Sequence, residues 1–153
     1  MTNASIAVPR RWPARPARPP FIRGAGHGPP TVVVADSHED CRALYAMVLR
    51  HAGFDVLEAE TGEEAIRLAF ARRPVAVVMA AVMRGVNGFR ALEVLKDHAD
   101  TEAIPVLVVS SVCGDGHEQR ARAAGCSAYL VKPCPPRCLL AEVRRCTAAP
   151  HSG

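Results

Sequence analysis

Residues 74–88 read Pro74-Val-Ala-Val-Val-Met-Ala-Ala-Val-Met-Arg-Gly-Val-Asn-Gly88. From Val75 to Ala80 the run is unbroken and apolar. A short run with no polar face predicts a strand covered on both sides, as at the centre of a parallel sheet. Arg84-Gly85 and Asn87-Gly88 then signal a turn. In open parallel sheets, ligands and chemistry gather just past the carboxyl ends of the strands. The residue that ends this strand is Ala80, whose methyl group can neither ligate, donate nor attack.

Outward from this stretch the chain alternates short apolar runs with helical patterns. Thr31 to Ala35 predicts a buried β-branched strand, followed by Asp36 and by Ser37 as an N-cap. His38 to His51 predicts a helix with Leu44, Met47 and Val48 on its apolar side, ended by Gly53. Phe54 to Glu58 predicts a second strand. Thr61 and Glu64 form a capping box that opens a helix to about Ala71, and Pro74 blocks its continuation.

After the loop, Phe89, Leu92 and Leu95 predict a helix to about Asp97. Ile104 to Val109 is a fourth buried run, Asp115 to Ala124 a helix, and Ser127 to Val131 a fifth strand. Lys132-Pro133 turns the chain, Pro135-Pro136 start a helix, and Leu139, Leu140 and Val143 give that helix its apolar face. Five strands alternating with five helices predict right-handed crossovers. The fold class is α/β: a doubly wound five-stranded parallel sheet with helices on both faces, flavodoxin-like in its three layers.

Length and charge set the remaining bounds. The chain has 153 residues, enough for one domain with a proper core. Residues 1–30 hold five arginines and no acid, whereas residues 31–153 hold fourteen basic and fifteen acidic residues. The sequence pI of about 8.9 is therefore a property of the leader. That leader, Arg/Pro-rich with Gly24, Gly26 and Gly28, reads as a disordered tail. The folded domain spans 31–147, and 148–153 is a short C-terminal tail. An Arg-rich tail could touch nucleic acid weakly. No apolar stretch has the length of a membrane span or a secretory signal, so the expectation is a cytoplasmic protein.

Six cysteines, at 41, 113, 126, 134, 138 and 146, show no zinc-knuckle or dithiol spacing and read as small buried hydrophobes. Met79 and Met83 read as core filler, and His38 as a surface histidine.

The carboxyl ends of the first, third, fourth and fifth strands bring Asp36, Ala80, Ser110 and Lys132 to one pocket. With those residues the chain resembles the receiver domain of bacterial two-component response regulators over about residues 31–146. The segments that carry the resemblance are VVVADSHEDCRALYAMVLRHAGFDVLEAETGEEAIRLA, VMAAVMRGVNGFRALEVLK, IPVLVVSS and AAGCSAYLVKPCPPRCLLAEVRR.

In that family an acidic pair after the first strand binds Mg²⁺. An Asp ending the third strand takes a phosphoryl group from a histidine kinase, and a Thr or Ser, a Lys-Pro and an aromatic complete the pocket. The resemblance places the acidic pair on Ala35 and Asp36, the phosphoacceptor on Ala80 and the hydroxyl on Ser110. It places the lysine on Lys132, the proline, usually cis, on Pro133 and the switch aromatic on Tyr129. Arg84 stands where the family has a proline.

Two of the three carboxylates are absent, and Asp36 is the only remaining acidic ligand. No metal or other cofactor is expected, Mg²⁺ binding should be weak, and Ala80 cannot be phosphorylated. The sequence therefore predicts a stand-alone receiver that is not an enzyme. It would act in phosphorelay signalling by protein–protein contact independent of phosphorylation, with an ion pair between Lys132 and Asp36. Its partner would be a histidine kinase, a scaffold, another signalling protein or a second copy. The contact face would be the fourth helix, fifth strand and fifth helix. Two other readings stand beside it. One is a cysteine-based redox or metal sensor using Cys134, Cys138 and Cys113 or Cys126. The other is a small-molecule binder in the vacated pocket, disfavoured because Ala35-Asp36-Ser37-His38 contains no glycine.

Overall fold

The computed structural model describes residues 28–111 and 115–148. Residues 1–27, 112–114 and 149–153, which take in most of the tails predicted at 1–30 and 148–153 and also Cys113, lie outside the described residues. The elements run β1 (Thr31–Ala35), α1 (Glu39–His51), β2 (Asp55–Ala59), α2 (Gly62–Arg72) and β3 (Ala76–Ala80). They continue with α3 (Gly88–Lys96), β4 (Val106–Ser110), α4 (Asp115–Ala123), β5 (Ala128–Val131) and α5 (Pro136–Ala148). The strands form one sheet in the order β2-β1-β3-β4-β5, and every pairing is parallel.

Alternation along the strands divides the core into two layers. Val33, Val77, Met79, Val106 and Val108 pack with Ile66 and Phe70 of α2 and Leu92 and Leu95 of α3. Val32, Val34, Val78, Leu107 and Val109 pack with Tyr45 and Leu49 of α1 and Leu139 and Val143 of α5. Helices α1 and α5 therefore cover one face, and α2 and α3 the other. Within the three central strands the polar side chains are confined to the ends, Thr31 opening β1 and Ser110 closing β4, because both of their faces are buried. Each fully buried valine is worth about 1.5–3 kcal/mol.

Thr61 caps α2 as predicted: its side chain accepts from the Glu64 N–H at 3.1 Å, and the Glu64 carboxylate accepts from the Glu60 N–H at 3.1 Å. Gly53, just past α1, takes φ +104°, the left-handed geometry in which glycine ends a helix at no steric cost. Met79 and Met83 are core residues, as predicted.

Four expectations are corrected. Several boundaries shift by one or two residues; β4 begins at Val106 rather than Ile104, with the Pro105 carbonyl accepting from Val77 N–H at 2.9 Å. The predicted apolar side of α1 is its outer side: Leu44 and Met47 are 42% and 58% exposed, while Arg42, Tyr45, Ala46 and Leu49 face the core. Ser37 does not cap α1. The residue before that helix is His38, and the Ser37 hydroxyl instead bridges two loops. The described cysteines are not fully buried, since Cys41, Cys126, Cys134 and Cys146 are half-buried and Cys138 is exposed.

Candidate functional site

Asp36 follows β1 directly, and its N–H donates to Ala59 O at 3.0 Å, so β1–β2 pairing carries it to the carboxyl edge of the sheet. It is one of the few buried charges. Both carboxylate oxygens are engaged. Oδ1 accepts from the His38 N–H at 2.8 Å, and Oδ2 accepts from Lys132 Nζ at 3.2 Å. The predicted ion pair is therefore present, with the Lys132 side chain 20% exposed and that of Asp36 3%. Lys132 is held by backbone as well, its N–H donating to Ser110 O at 2.8 Å, and it precedes a cis Pro133. His38 is exposed, with Nδ1 3.6 Å from Asp36 Oδ1.

Ala80 ends β3, fully buried beside Val109 of β4. Ala35, Ser110 and Tyr129 are buried too. The β3–α3 loop that follows Ala80 is pinned from three directions. Ser37 Oγ donates to Glu60 O at 2.8 Å and accepts from Arg84 N–H at 2.9 Å. Glu63 accepts from Val86 N–H at 3.1 Å. Gly88 lies so close to the Ala80 carbonyl oxygen and Ala81 that a Cβ there would strike backbone. The Asn87 side chain then caps α3, accepting from Arg90 N–H at 2.9 Å.

Sequence reasoning missed two residues here. Arg42 is 8% exposed on the core side of α1. It donates from one terminal nitrogen to Asp36 O at 2.9 Å and from Nε to Glu58 Oε1 at 3.1 Å, and lies 3.8 Å from Glu60 Oε2. The signal was available: positions 42, 45, 46 and 49 are spaced as one helix face, and an arginine within a buried stripe needs carboxylate partners. Cys41, on the same turn, places its Sγ 3.9 Å from Lys132 Nζ, a contact across 91 residues of sequence that no local pattern announces.

The chemistry open to this pocket is narrow. One carboxylate faces one ammonium, and β3 ends without a nucleophile. Mg²⁺ demands near-octahedral oxygen ligation. With alanine at 35 and 80, the donor set is a single carboxylate whose two oxygens already have partners, so the residues do not fit the ion. The thiols of Cys126, Cys134 and Cys146 are pushed above their ordinary range, in each case chiefly by burial. That keeps them protonated and poorly nucleophilic.

Comparison with known proteins agrees with this geometry. Residues 32–144 match the response regulator receiver domain family. Protein PilH of Pseudomonas aeruginosa is 36% identical over 112 residues, covering 73% of this chain and 92% of PilH. The polar-differentiation response regulator DivK of Brucella anthropi is 30% identical over 105 residues, covering 69% of this chain and 85% of DivK. A putative response regulator from Chloroflexus aurantiacus superimposes with a TM-score of 0.75 at 26% identity, covering 79% of this chain and 99% of that one. The strand order, the Asp36–Lys132 pocket and these relatives agree: the chain belongs to the response regulator receiver domain family of two-component signalling.

Proposed function

We propose that this protein is a pseudo-receiver, a two-component signalling domain that works by protein–protein contact and takes no phosphoryl group at the usual position. The observation that carries this reading is Ala80 at the end of β3, with Lys132 already neutralised by Asp36. Aspartyl phosphate formation needs a carboxylate nucleophile. It also needs cations to offset the charge that converges on the transferring group. Here the nucleophile is missing, the lysine is engaged and the metal ligands are reduced to one.

The reading carries no catalytic role and no resident metal or cofactor. Its partner is a histidine kinase, a scaffold or another signalling protein, and a contact face is α4, β5 and α5. Among the described residues no helix is long and apolar enough to cross a membrane, and a place in the cytoplasm belongs to the same proposal. The cysteine-sensor alternative is not favoured, because burial holds Cys126, Cys134 and Cys146 as thiols.

The test is incubation with acetyl phosphate and Mg²⁺ followed by intact mass measurement. The expected result is an unchanged mass. A stable phosphoryl adduct would refute the proposal. The double substitution Ala35→Asp, Ala80→Asp is expected to restore Mg²⁺ binding by isothermal titration. Failure of that variant to bind would mean that the pocket differs at more than these two positions.

A further inference from the structure

Helix α1 has an outer stripe that its packing does not explain. Asp40, Leu44, Met47 and His51 are all exposed. At about 100° per residue they fall on one line, opposite the core-facing Arg42, Tyr45, Ala46 and Leu49. Among the described residues the exposed large apolar side chains are Leu44, Met47, Val82 and Val131, so two of the four sit on this stripe. Beside it, Met47, Val48, His51 and Ala52 of α1 and its end line a cleft of about 530 Å³ with Leu140 and Arg144 of α5. Among the described residues no ion pair is made by Asp40, His51 or Arg144.

The order of the stripe is acid, apolar, apolar, base, and it is self-complementary. A two-fold axis between Leu44 and Met47, perpendicular to the helix, sets Leu44 against Met47 of a second copy and Asp40 against His51. Arg144, on the same cleft, adds positive charge at the His51 end. An isologous contact requires such a pattern, in which residue i meets j and j meets i. The helix dipoles also oppose one another favourably in this arrangement.

We infer that the outer face of α1 is the docking site for a second copy of this chain, packed antiparallel α1 on α1. The inference stands apart from the pseudo-receiver reading, since it uses no residue of the Asp36–Lys132 pocket. It gives the second copy a face centred on α1 and the edge of α5 beside it rather than on α4 and β5, where among the described residues Val131 is the one large apolar side chain exposed.

The test is sedimentation velocity on the full chain and on surface variants whose folding is checked by circular dichroism. The parent chain should be a dimer at about 100 µM, far above a micromolar dissociation constant. Met47→Glu buries two unpaired carboxylates per dimer and should raise the dissociation constant by at least roughly a hundredfold. Asp40→Arg and His51→Glu should each weaken the dimer alone, and mixing the two variants should restore a heterodimer. Val131→Glu should change nothing. A parent chain that is monomeric, including one whose cleft is covered by its own residues 1–27, overturns the inference. So does a dimer that survives Met47→Glu, or one that is lost with Val131→Glu.

Discussion

Replacing Lys132 by Met should destabilise the fold through Asp36 rather than through any contact of the lysine stem. The Asp36 side chain is 3% exposed, and among the described residues Lys132 is the one side-chain cation hydrogen-bonded to its carboxylate. After the substitution Oδ1 keeps the His38 N–H, but Oδ2 faces a methyl group in a site that is nearly dry. Breaking a buried pair by removing one partner costs about 3–5 kcal/mol. Lys132 is one-fifth exposed, and water entering by that route reduces the cost to about 2 kcal/mol.

With a urea dependence of roughly 2 kcal/mol per molar, the midpoint should fall by about 1 M. The thermal midpoint should fall by roughly 6–10 °C. If the cost is the orphaned carboxylate, Asp36→Asn combined with Lys132→Met should recover most of it, which a double-mutant cycle reads directly. A Lys132→Met protein within about 0.5 kcal/mol of the parent would refute the argument. So would a double variant as unstable as the single one.

Three further outcomes follow from the geometry. Gly88→Ala should cost about 1–3 kcal/mol in urea denaturation, because its Cβ meets the backbone at Ala80 and Ala81, which cannot swing aside as a side chain would; a neutral variant would contradict this. Thr61→Ala should cost about 1 kcal/mol by removing the cap on Glu64 N–H, whereas Thr61→Ser should keep most of it. Tyr45, whose hydroxyl donates to Cys134 O at 3.3 Å, has its phenol pushed up to about 12, first by burial and then by Cys134, Cys41 and Asp36. The native state therefore holds that proton more tightly than the unfolded chain, so stability is intact below pH 10 and is lost as pH rises from 10 to 12. Tyr45→Phe should flatten this alkaline loss in pH-dependent unfolding.

The layered fold was legible because the physics that sets it is local. A strand buried on both faces must be apolar throughout, and Val32–Val34, Val75–Ala80 and Val106–Val109 announce that without help. Helix α1 was misread for an equally physical reason. Its core face includes Arg42 and Ala46, and its outer face includes Leu44 and Met47, so hydrophobicity alone points the wrong way. Arg42 can face inward because Glu58, the Asp36 carbonyl and Glu60 meet it there. Ser37 was misplaced because its partners, Glu60 and Arg84, lie 23 and 47 residues away. The Asp36–Lys132 contact spans 96 residues and was found only because strand order carries both residues to one edge.

The charges at that edge explain why the pocket holds together with two alanines in it. A buried carboxylate needs a partner of opposite sign. Asp36 has one in Lys132. A second carboxylate at Ala80, itself buried, would leave the site with excess negative charge unless a divalent cation entered. A third at Ala35 would deepen that deficit. With methyl groups at both positions, one acid and one base close the balance on their own. The remaining acids nearby, Glu58 and Glu60, are paired with Arg42, Arg50 and Arg84. The β3–α3 loop is fixed by Ser37, Glu63 and the close approach at Gly88. The charges of the pocket therefore balance between Asp36 and Lys132, and the position of the loop follows from contacts made within the chain itself.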